Sequence, residues 1–320
     1  MADSPITSSL SLAPCNVCPR MCGANRLAGE RGVCGAADTV VVARAALHFW
    51  EEPVLSGGRG SGAVFFANCP LRCVYCQNAP IAAGQAGVAV TVERLASICL
   101  ELQDKGALNV NFVTPTHYSL QIREALACAR ERGLAIPVVW NTSGYERTET
   151  VRALAGTVDV YLDDFKYADA ALAARYSHAA DYPQVALAAL DEMVAQVGAP
   201  AFDKVDGELR MTRGVIVRHL LLPGALAQSK EVLETLFARY GDAVCYSIMN
   251  QYTPVIAQSD SASGVAARFP ELCERVPAED YEALLDFADS LGMEDYFWQE
   301  GPAVEESFIP AWDLEGVLEK

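Results

Sequence analysis

Three cysteines stand close together immediately after a short apolar run. Cys69, Cys73 and Cys76 have the spacing C-x3-C-x2-C, and they follow the run Ala-Val-Phe-Phe-Ala at 63–67. Three thiolates at this spacing can bind three corners of a cubane iron–sulfur cluster, which leaves the fourth iron open for a substrate or cofactor. Zinc is the competing metal, but a structural zinc site requires four protein ligands, usually as paired C-x2-C. The spacing therefore favours an open 4Fe-4S cluster.

A second group of cysteines lies nearer the N-terminus. Cys15, Cys18, Cys22 and Cys34 have the spacing C-x2-C-x3-C-x11-C within a Gly-rich segment. Four thiolates are enough to close a tetrahedral zinc site or a second, fully ligated Fe-S cluster, and the spacing does not decide between these metals. The functional interpretation is an electron relay or a substrate-docking element. The structural interpretation is a metal that supports a segment with no core of its own.

The cysteine pattern also bears on the cellular compartment. The remaining four cysteines are isolated and are interpreted as small buried apolar residues: Cys99, Cys128, Cys245 and Cys273. The first residues have no basic or apolar signal regions, and no apolar run approaches about 20 residues, so we expect no secretory signal and no membrane span. An odd total with tight clusters is a poor disulfide framework. We therefore predict a cytoplasmic protein whose clustered cysteines bind metal.

The segments that must position the cysteines alternate between two patterns. Apolar, strand-like runs are predicted at 63–67, 110–113, 136–140, 158–162, 214–222 and 243–248. Helical spacing is predicted between them, at 92–105, 120–131, 148–155, 183–197 and 230–240. Such alternation is typical of parallel βα units with both sheet faces covered. Six units fit an α/β fold with an open or partial (β/α)6 barrel better than a full eight-unit barrel, and the chemistry of such folds lies at the carboxyl ends of the strands.

Three regions follow from this pattern. Residues 1–50 form an N-terminal Cys-rich metal-binding extension with a strand at 39–46. Residues 51–256 form the core barrel, and residues 257–320 form an acidic helical extension. Within the barrel, residues 201–213 contain a hairpin-like Asp-Gly turn and are predicted as a loop insertion before the fifth strand.

The charge is concentrated in the second half of the chain. The sequence has 24 Lys+Arg and 41 Asp+Glu, a formal net charge of −17. Residues 1–160 hold 13 bases and 13 acids, whereas 260–320 hold 3 bases and 16 acids. The acidic half is interpreted as a solvated surface or as a face for a basic partner. The acidic balance argues against nucleic-acid binding through phosphate neutralisation.

The sequence motifs around the cysteines resemble those of a known protein family. The C-x3-C-x2-C motif after the first strand, with an aromatic residue before its last cysteine, resembles the radical S-adenosylmethionine superfamily. Further motifs are similar to the uncharacterised group of pyruvate formate-lyase activating enzyme-like (PflX-like) proteins. These motifs are Glu51-Glu52-Pro53, Phe65-Phe66, Cys76-Gln77-Asn78, the residues NFVTPTHY at 111–118 and NQYTP at 250–254. The resemblance spans roughly residues 15–255.

The resemblance implies a reaction. Cys69, Cys73 and Cys76 would ligate a 4Fe-4S cluster whose open iron binds the amine and carboxylate of S-adenosyl-L-methionine. One electron would cleave the sulfonium and give a 5′-deoxyadenosyl radical that abstracts hydrogen from a substrate. The group implies an anaerobic, activating-enzyme-like oxidoreductase or lyase with a flavodoxin- or ferredoxin-type reductant. A glycyl residue of a partner protein is the leading expectation for the hydrogen donor.

The resemblance also implies which residues contact the cofactor. They are Tyr75, Thr114, Pro115, Thr116, His117, Asn141, Ser143, Asp164, Lys166 and His219. Residues 114–117 stand where the family has a Gly-Gly-Glu-type motif, and the Asp-Phe-Lys at 164–166 resembles the Asp-Leu-Lys of activating enzymes. Without the resemblance, several of these residues have simpler structural roles. Asn141 and Ser143 would be turn or cap residues, Lys166 a solvated lysine, and His219 a packed core residue.

Other functions are compatible with the same residues. The radical could modify a small molecule instead of a protein. From a different class, the chain could be a non-catalytic Fe-S or Zn scaffold or an electron carrier. We expect no nucleic-acid partner and no membrane partner.

Overall fold

The protein has one large mixed sheet flanked by helices. The computed structural model describes residues 10–258, 264–299 and 309–319. Over these residues the sheet has ten strands. In chain order they are β1 (Val40–His48), β2 (Ser61–Phe66), β3 (Val88–Val90), β4 (Val110–Val113), β5 (Val138–Thr142), β6 (Val160–Asp164), β7 (Ala201–Val205), β8 (Glu208–Leu220), β9 (Cys245–Met249) and β10 (Tyr296–Phe297).

Six parallel strands form the centre of the sheet. β2, β4, β5, β6, β8 and β9 are neighbours in that order, each parallel to the next. β1 pairs antiparallel with β2 and with β3 at one edge, and β10 adds a parallel pair at the other. The prediction of six parallel strands in series is confirmed. Because successive parallel strands end on the same side, their carboxyl ends bring distant residues together.

Helices connect the strands and cover the sheet. They are α1 (Pro53–Ser56), α2 (Ala79–Ala82), α3 (Val92–Asp104), α4 (Ser119–Glu131), α5 (Thr148–Ala153), α6 (Ala170–Ser177), α7 (Tyr182–Val197), α8 (Leu226–Tyr240), α9 (Val265–Arg268) and α10 (Ala278–Ser290). α3 begins where the Thr91 hydroxyl accepts the Arg94 N–H at 3.1 Å, an N-cap of the usual kind. The helices bury apolar faces against strand residues such as Phe112 and Trp140.

The structure differs from the predicted elements before the fifth parallel strand. Residues 201–213 are not a loop insertion, because β7 and the first part of β8 form an antiparallel hairpin around the Asp206-Gly207 turn. β8 then continues without a break into the sheet. The hairpin is largely exposed, so it lacks the continuous apolar run that marks a buried strand. β5 and β6 also begin two residues later than predicted.

Both flanking regions contact the sheet. β1 lies within the predicted extension 1–50, and residues 10–39 before it contain one short 3-10 helix, Arg26–Ala28. At the other end, the 309–319 segment lies along β1, where the Ala45 N–H donates to the Glu315 carbonyl at 2.8 Å. The rest of the predicted acidic extension is described in part, since 259–263, 300–308 and 320 lie outside the described residues. Among the described helices, none has the length and apolar character needed to span a membrane.

Candidate functional site

Cys69, Cys73 and Cys76 lie on a loop directly after β2, at the carboxyl end of the parallel strands. All eleven cysteines of the chain are free thiols, and these three are partly buried. Their side chains line one cavity of about 240 Å³. Burial raises the pKa of Cys69 to about 11 and that of Cys76 to about 12. Metal binding at this loop would therefore release protons, because thiolates are the ligating form.

The cysteine loop is held by contacts from three directions. Arg72, within the loop, has a left-handed φ of 51° and donates to the Cys34 carbonyl at 2.9 Å. Arg20 Nε donates to the Pro70 carbonyl at 2.9 Å, and the Val74 N–H donates to the Tyr176 carbonyl at 2.8 Å. A loop fixed in this way presents its side chains in a defined geometry.

The same cavity gathers most of the residues that the sequence singled out. Besides the three cysteines, the predicted residues that line it are Tyr75, Thr114, Asn141, Ser143, Asp164 and Lys166. They come from the cysteine loop and from the ends of β4, β5 and β6. Thr114 follows β4 with a φ of 58°, which is rare for a β-branched residue. Such local strain is typical of functional positions.

His219 is buried on the opposite face of β8. Its ring bonds to the Phe165 carbonyl through Nδ1 and to the Ser229 hydroxyl through Nε2, each at 2.8 Å. Successive strand residues point to opposite faces, so Arg218 reaches the cavity and His219 packs under the helices. Burial lowers the pKa of His219 to about 4. His219 therefore lies where a packed core residue would lie, which is the simpler of the two roles expected for it.

Three further predicted residues lie beside the cavity without lining it. Pro115, Thr116 and His117 turn away after β4 into a 3-10 helix, Thr116–Tyr118. The Thr116 hydroxyl donates to buried Glu146 at 2.7 Å. The His117 ring donates from Nε2 to the Ala67 carbonyl at 2.9 Å, and burial lowers its pKa to about 3. These side chains support the loops around the cavity.

A charged network forms one wall of the cavity. Arg218 donates from Nε to Asp164 at 2.7 Å, from Nη2 to Asn141 Oδ1 at 2.9 Å and from Nη1 to Glu51 at 3.2 Å. Lys166 Nζ donates to the other oxygen of Asp164 at 2.8 Å. Burial alone would raise the pKa of Asp164, but Arg218 and Lys166 outweigh it and leave that pKa below its ordinary value. Asp164 is therefore a carboxylate held between two cations.

Sequence reasoning missed Arg218 and Glu51 as members of the site. The signal for Arg218 is its position in β8, where a charged residue stands between inward-facing Ile216 and Leu220. Glu51 follows β1 at one edge of the sheet, yet it contacts β8 across the width of four strands. No local pattern indicates that contact, because it depends on how the whole sheet bends.

Tyr182 was also missed, although it joins two of the loops around the site. Its hydroxyl lies 2.8 and 2.6 Å from the Ser143 and Asp164 carbonyl oxygens, which share its single proton, and accepts the Lys166 N–H at 2.9 Å. The side chain is fully buried at the start of α7. It therefore fixes the ends of β5 and β6 relative to each other. Only its large size within an amphipathic helix marks it in the sequence.

A chain of hydroxyl groups leads to one of the cysteines. The Tyr75 and Tyr167 hydroxyls are hydrogen-bonded at 2.8 Å, and Tyr167 donates in turn to the Ser177 hydroxyl at 2.7 Å. The Ser177 hydroxyl donates to Cys73 Sγ at 3.0 Å. A donor of this kind stabilises negative charge on the sulfur, so Ser177 bears directly on the electronic properties of anything bound there.

The N-terminal cysteine group forms a separate, more deeply buried set. Cys15, Cys18 and Cys34 are at most 5% exposed, and the four sulfurs lie close enough for their charges to interact. The guanidinium of fully buried Arg26 lies 3.9 Å from Cys15 Sγ. The Ala36 N–H donates to Cys34 Sγ at 3.4 Å. These sulfurs therefore have cationic and backbone donors around them.

Across the described part of the chain, no three His, Cys, Asp or Glu side chains form a group that could hold a metal ion as it stands. A single zinc ion draws all its thiolates to about 2.3 Å from one centre. The three thiolates of an open cubane bind different irons and stand further apart. The cysteine loop has the donor chemistry and the adjoining space for the second arrangement.

Comparisons with known proteins give distant similarities. No protein-family model matches the chain. It is 28% identical over 291 residues to the uncharacterized protein MJ0674 of Methanocaldococcus jannaschii. The aligned region covers 88% of this chain and 75% of that protein. Two solved structures of Streptococcus suis SuiB, bound to precursor peptide SuiA and to S-adenosylmethionine, each align with a TM-score of 0.48 at 15% identity. They cover 72% and 73% of this chain, and the chain spans 46% and 48% of SuiB, about half its length.

Proposed function

We propose that the protein is a radical S-adenosylmethionine enzyme whose reaction takes place in the cysteine cavity. The observation that supports this most is the shared cavity of the three C-x3-C-x2-C thiols and the polar network of Arg218, Asp164 and Lys166. A cluster with one open iron requires three thiols beside a space for a second ligand. A zwitterionic ligand requires fixed charges of both signs in that space.

The residues present suit both parts of this cofactor pair. Cys69, Cys73 and Cys76 would hold the 4Fe-4S cluster. Lys166 and Asn141 would meet the polar groups of S-adenosylmethionine, with Ser143 and Thr114 beside them at the strand ends. When bound and reduced, the cofactor pair supplies a 5′-deoxyadenosyl radical that abstracts hydrogen from the substrate.

The protein's own residues then have three tasks. Ser177 donates to Cys73 and so favours electron density on that sulfur. Asp164, paired with Lys166 and Arg218, keeps both cations in place along the cavity wall. Tyr182 holds the loops after β5 and β6 at a fixed separation, which keeps the polar groups in register.

The finer parts of the proposal concern shape and reaction type. We propose that the six parallel strands curve into a partial (β/α)6 barrel, since Glu51 beyond β1 reaches Arg218 on β8. An activating-enzyme-like reaction on a protein glycine is an expectation from the sequence motifs. An electron paramagnetic resonance doublet on a partner protein would be its signature, and tracing the abstracted hydrogen to a metabolite would contradict it.

The test of the function is cofactor cleavage. Anaerobically reconstituted and reduced protein should release 5′-deoxyadenosine from S-adenosylmethionine. Cys73→Ala should lower that release by at least about 100-fold, because loss of a ligand exceeds the roughly 10–100-fold cost of second-shell changes. Cys128→Ala, which removes an isolated and partly buried thiol on α4, is the matched control and should retain full activity.

The second candidate function is a non-catalytic iron–sulfur or zinc scaffold. Its supporting observation is the N-terminal cysteine group, whose thiols do not line the cysteine cavity although the two groups are in contact through Arg20 and Arg72. Reconstituted protein that holds iron but neither binds nor cleaves S-adenosylmethionine would favour this function and overturn the first.

A further inference from the structure

A second cavity of about 680 Å³ adjoins the cysteine cavity. The two share a wall formed by Trp50, Glu51, Arg218, Met249 and Gln251. The volume falls within the roughly 300–1,000 Å³ of ordinary small-ligand sites. A ligand in this second cavity would lie directly beside anything bound at the cysteines.

The rim of the second cavity is unusually apolar. The described residues include nine exposed large apolar side chains, and four of them line this one cavity. They are Phe49, Trp50, Leu209 and Trp298. Trp50 is 64% exposed and Trp298 is 52% exposed. Exposed apolar side chains that gather at one cavity mark a ligand surface, and indole rings also attract cations.

The charged side chains around the two cavities form ion pairs in which Arg218 is shared by more than one carboxyl group. Glu208 pairs with Arg210, Asp164 with Lys166, and Glu51 with Arg218. Arg210 also packs against Gly57, where an added Cβ would clash with the guanidinium. Glu52 is the fourth carboxyl group of these walls, and no fourth lysine or arginine lines either cavity. The walls therefore have one more acid than base.

Glu52 has no cation to itself, because it shares Arg218 with Glu51 and Asp164. It is 8% exposed, and its Oε2 accepts no hydrogen bond from the described residues. Arg218 Nη1 lies 3.7 Å from that oxygen, beyond hydrogen-bond distance, and donates to Glu51 at 3.2 Å. Burial raises the pKa of Glu52 although Arg218 opposes the shift, so a further cation placed at Oε2 would favour the charged form of this carboxyl group.

We propose that the second cavity is the substrate site and that its ligand carries an ammonium group on an apolar body. The ammonium lies at Glu52, and the body lies against Trp50 and Trp298. A free alkylamine and a lysine side chain share this chemistry. The assignment of the ligand as substrate rests on the proposed function, whereas the binding of an ammonium group does not.

The test measures binding to the full-length reconstituted protein by calorimetry, without S-adenosylmethionine or reductant. The probes are n-pentylamine against n-pentanol, and N-acetyl-Gly-Lys-Gly-amide against its norleucine counterpart. We expect a charged probe to bind at least about tenfold more tightly than its neutral partner, a difference of about 1.4 kcal/mol. Whether the amine or the lysine peptide binds more tightly identifies the source of the ammonium.

Two variants distinguish the contribution of Glu52 from that of the overall negative charge of the cavity. Glu52→Gln should reduce the preference for the charged probe to about onefold. Glu208→Gln removes another carboxylate of the same cavity, already paired with Arg210, and should leave the preference unchanged. Trp298→Ala should weaken the charged and neutral probes alike, since it removes apolar contact area.

Three results would overturn the proposal: no binding of any probe, equal binding of charged and neutral probes, or a preference that survives in Glu52→Gln. These results are distinguishable from a failure of the proposed function. Protein that prefers ammonium but releases no 5′-deoxyadenosine retains the binding site and loses the radical chemistry. Protein that cleaves S-adenosylmethionine but binds charged and neutral probes equally retains the radical chemistry and lacks the ammonium site.

Discussion

The two cysteine groups of this chain lie side by side and differ in almost every physical respect. The loop at 69–76 lines a cavity with partly buried thiols, and a hydroxyl from Ser177 donates to one of them. Three of the four thiols at 15–34 are buried and Cys22 is partly exposed, and a backbone N–H and an arginine approach sulfurs of this group. The first arrangement adjoins space for a ligand, whereas the second encloses most of its sulfurs within the segment.

The contrast shows that cysteine spacing and surroundings carry separate information. Both groups contain a C-x2-C pair, yet only the loop after β2 stands at the carboxyl end of parallel strands. That position provides polar groups from neighbouring strands, which a Gly-rich segment cannot provide for itself. We infer a reactive role for the 69–76 loop and a supporting role for the 15–34 group.

The largest expected effect concerns the supporting role. We propose that the N-terminal group binds a structural metal, so Cys18→Ser should remove that metal and lower the free energy of unfolding by about 5 kcal/mol or more. The reason is that structural zinc contributes roughly 10–16 kcal/mol in small peptides. Metal analysis and chemical denaturation would measure both quantities, and iron at the 69–76 loop should remain. Unchanged metal content and stability, equal to those of a Cys128→Ser control, would contradict the supporting role.

An intermediate effect is expected at the junction of the two groups. The His117 carbonyl accepts a hydrogen bond from Arg26, and its ring bonds to Ala67, two residues before Cys69. Burial lowers the pKa of His117 to about 3, against an ordinary 6.5. The unfolded chain binds this proton below pH 6.5 and the folded chain does not, so stability is lost as the pH falls from 6.5 towards 3.

The measurement compares wild type with His117→Gln. Each pKa unit corresponds to about 1.4 kcal/mol, so the wild type should lose about 3 kcal/mol more than the variant between pH 7 and pH 4. Urea denaturation at both pH values gives the two losses. If the losses are equal, His117 is not the buried neutral link between the cysteine groups.

The smallest expected effect distinguishes the hydroxyl donor of the 69–76 loop. Ser177→Ala removes the hydrogen bond to Cys73 and should lower the reduction potential of the cluster, because the added electron is no longer stabilised. A differential loss of about 1 kcal/mol corresponds to tens of millivolts, since about 59 mV is a tenfold change for one electron. A potentiometric titration followed by electron paramagnetic resonance would detect it. Ser290→Ala on α10 is the control, and an unchanged potential in Ser177→Ala would refute the donor role.

Much of the fold was predictable because its signals are local. β4 was predicted at 110–113, where it lies, since a short apolar run bounded by polar residues is typical of a buried parallel strand. The hairpin-like turn at Asp206-Gly207 was predicted and is present, whereas the strands on either side of it were wrongly predicted as a loop because they face solvent and lack that run. Local sequence therefore indicates buried strands better than exposed ones.

The site was predictable in its location and less so in its members. The cysteine loop is contiguous, so its spacing is visible in the sequence. The choice between Arg218 and His219 depends on a single step of the strand pleat, which reverses the face of every side chain. Glu51 and Glu52 contact Arg218 of β8 although they are far from it in sequence. These contacts depend on the arrangement of the whole sheet, and the residues next to them in sequence do not indicate it. The roles of the lining residues as cofactor ligands stay predictions.

The 309–319 segment is synthesised after the strands of the sheet, and this order bears on how the cavity forms. Pro310 forms part of the cysteine cavity wall, and Asp313 bonds to Arg44 across a sequence separation of 269 residues. During synthesis the cysteine loop emerges long before this segment, so the parallel strands can pair while one side of the cavity is still open. If the proposed cluster binds at Cys69, Cys73 and Cys76, it would meet a wider entrance before the 309–319 segment docks onto β1 than after it, because Pro310 then forms part of the cavity wall.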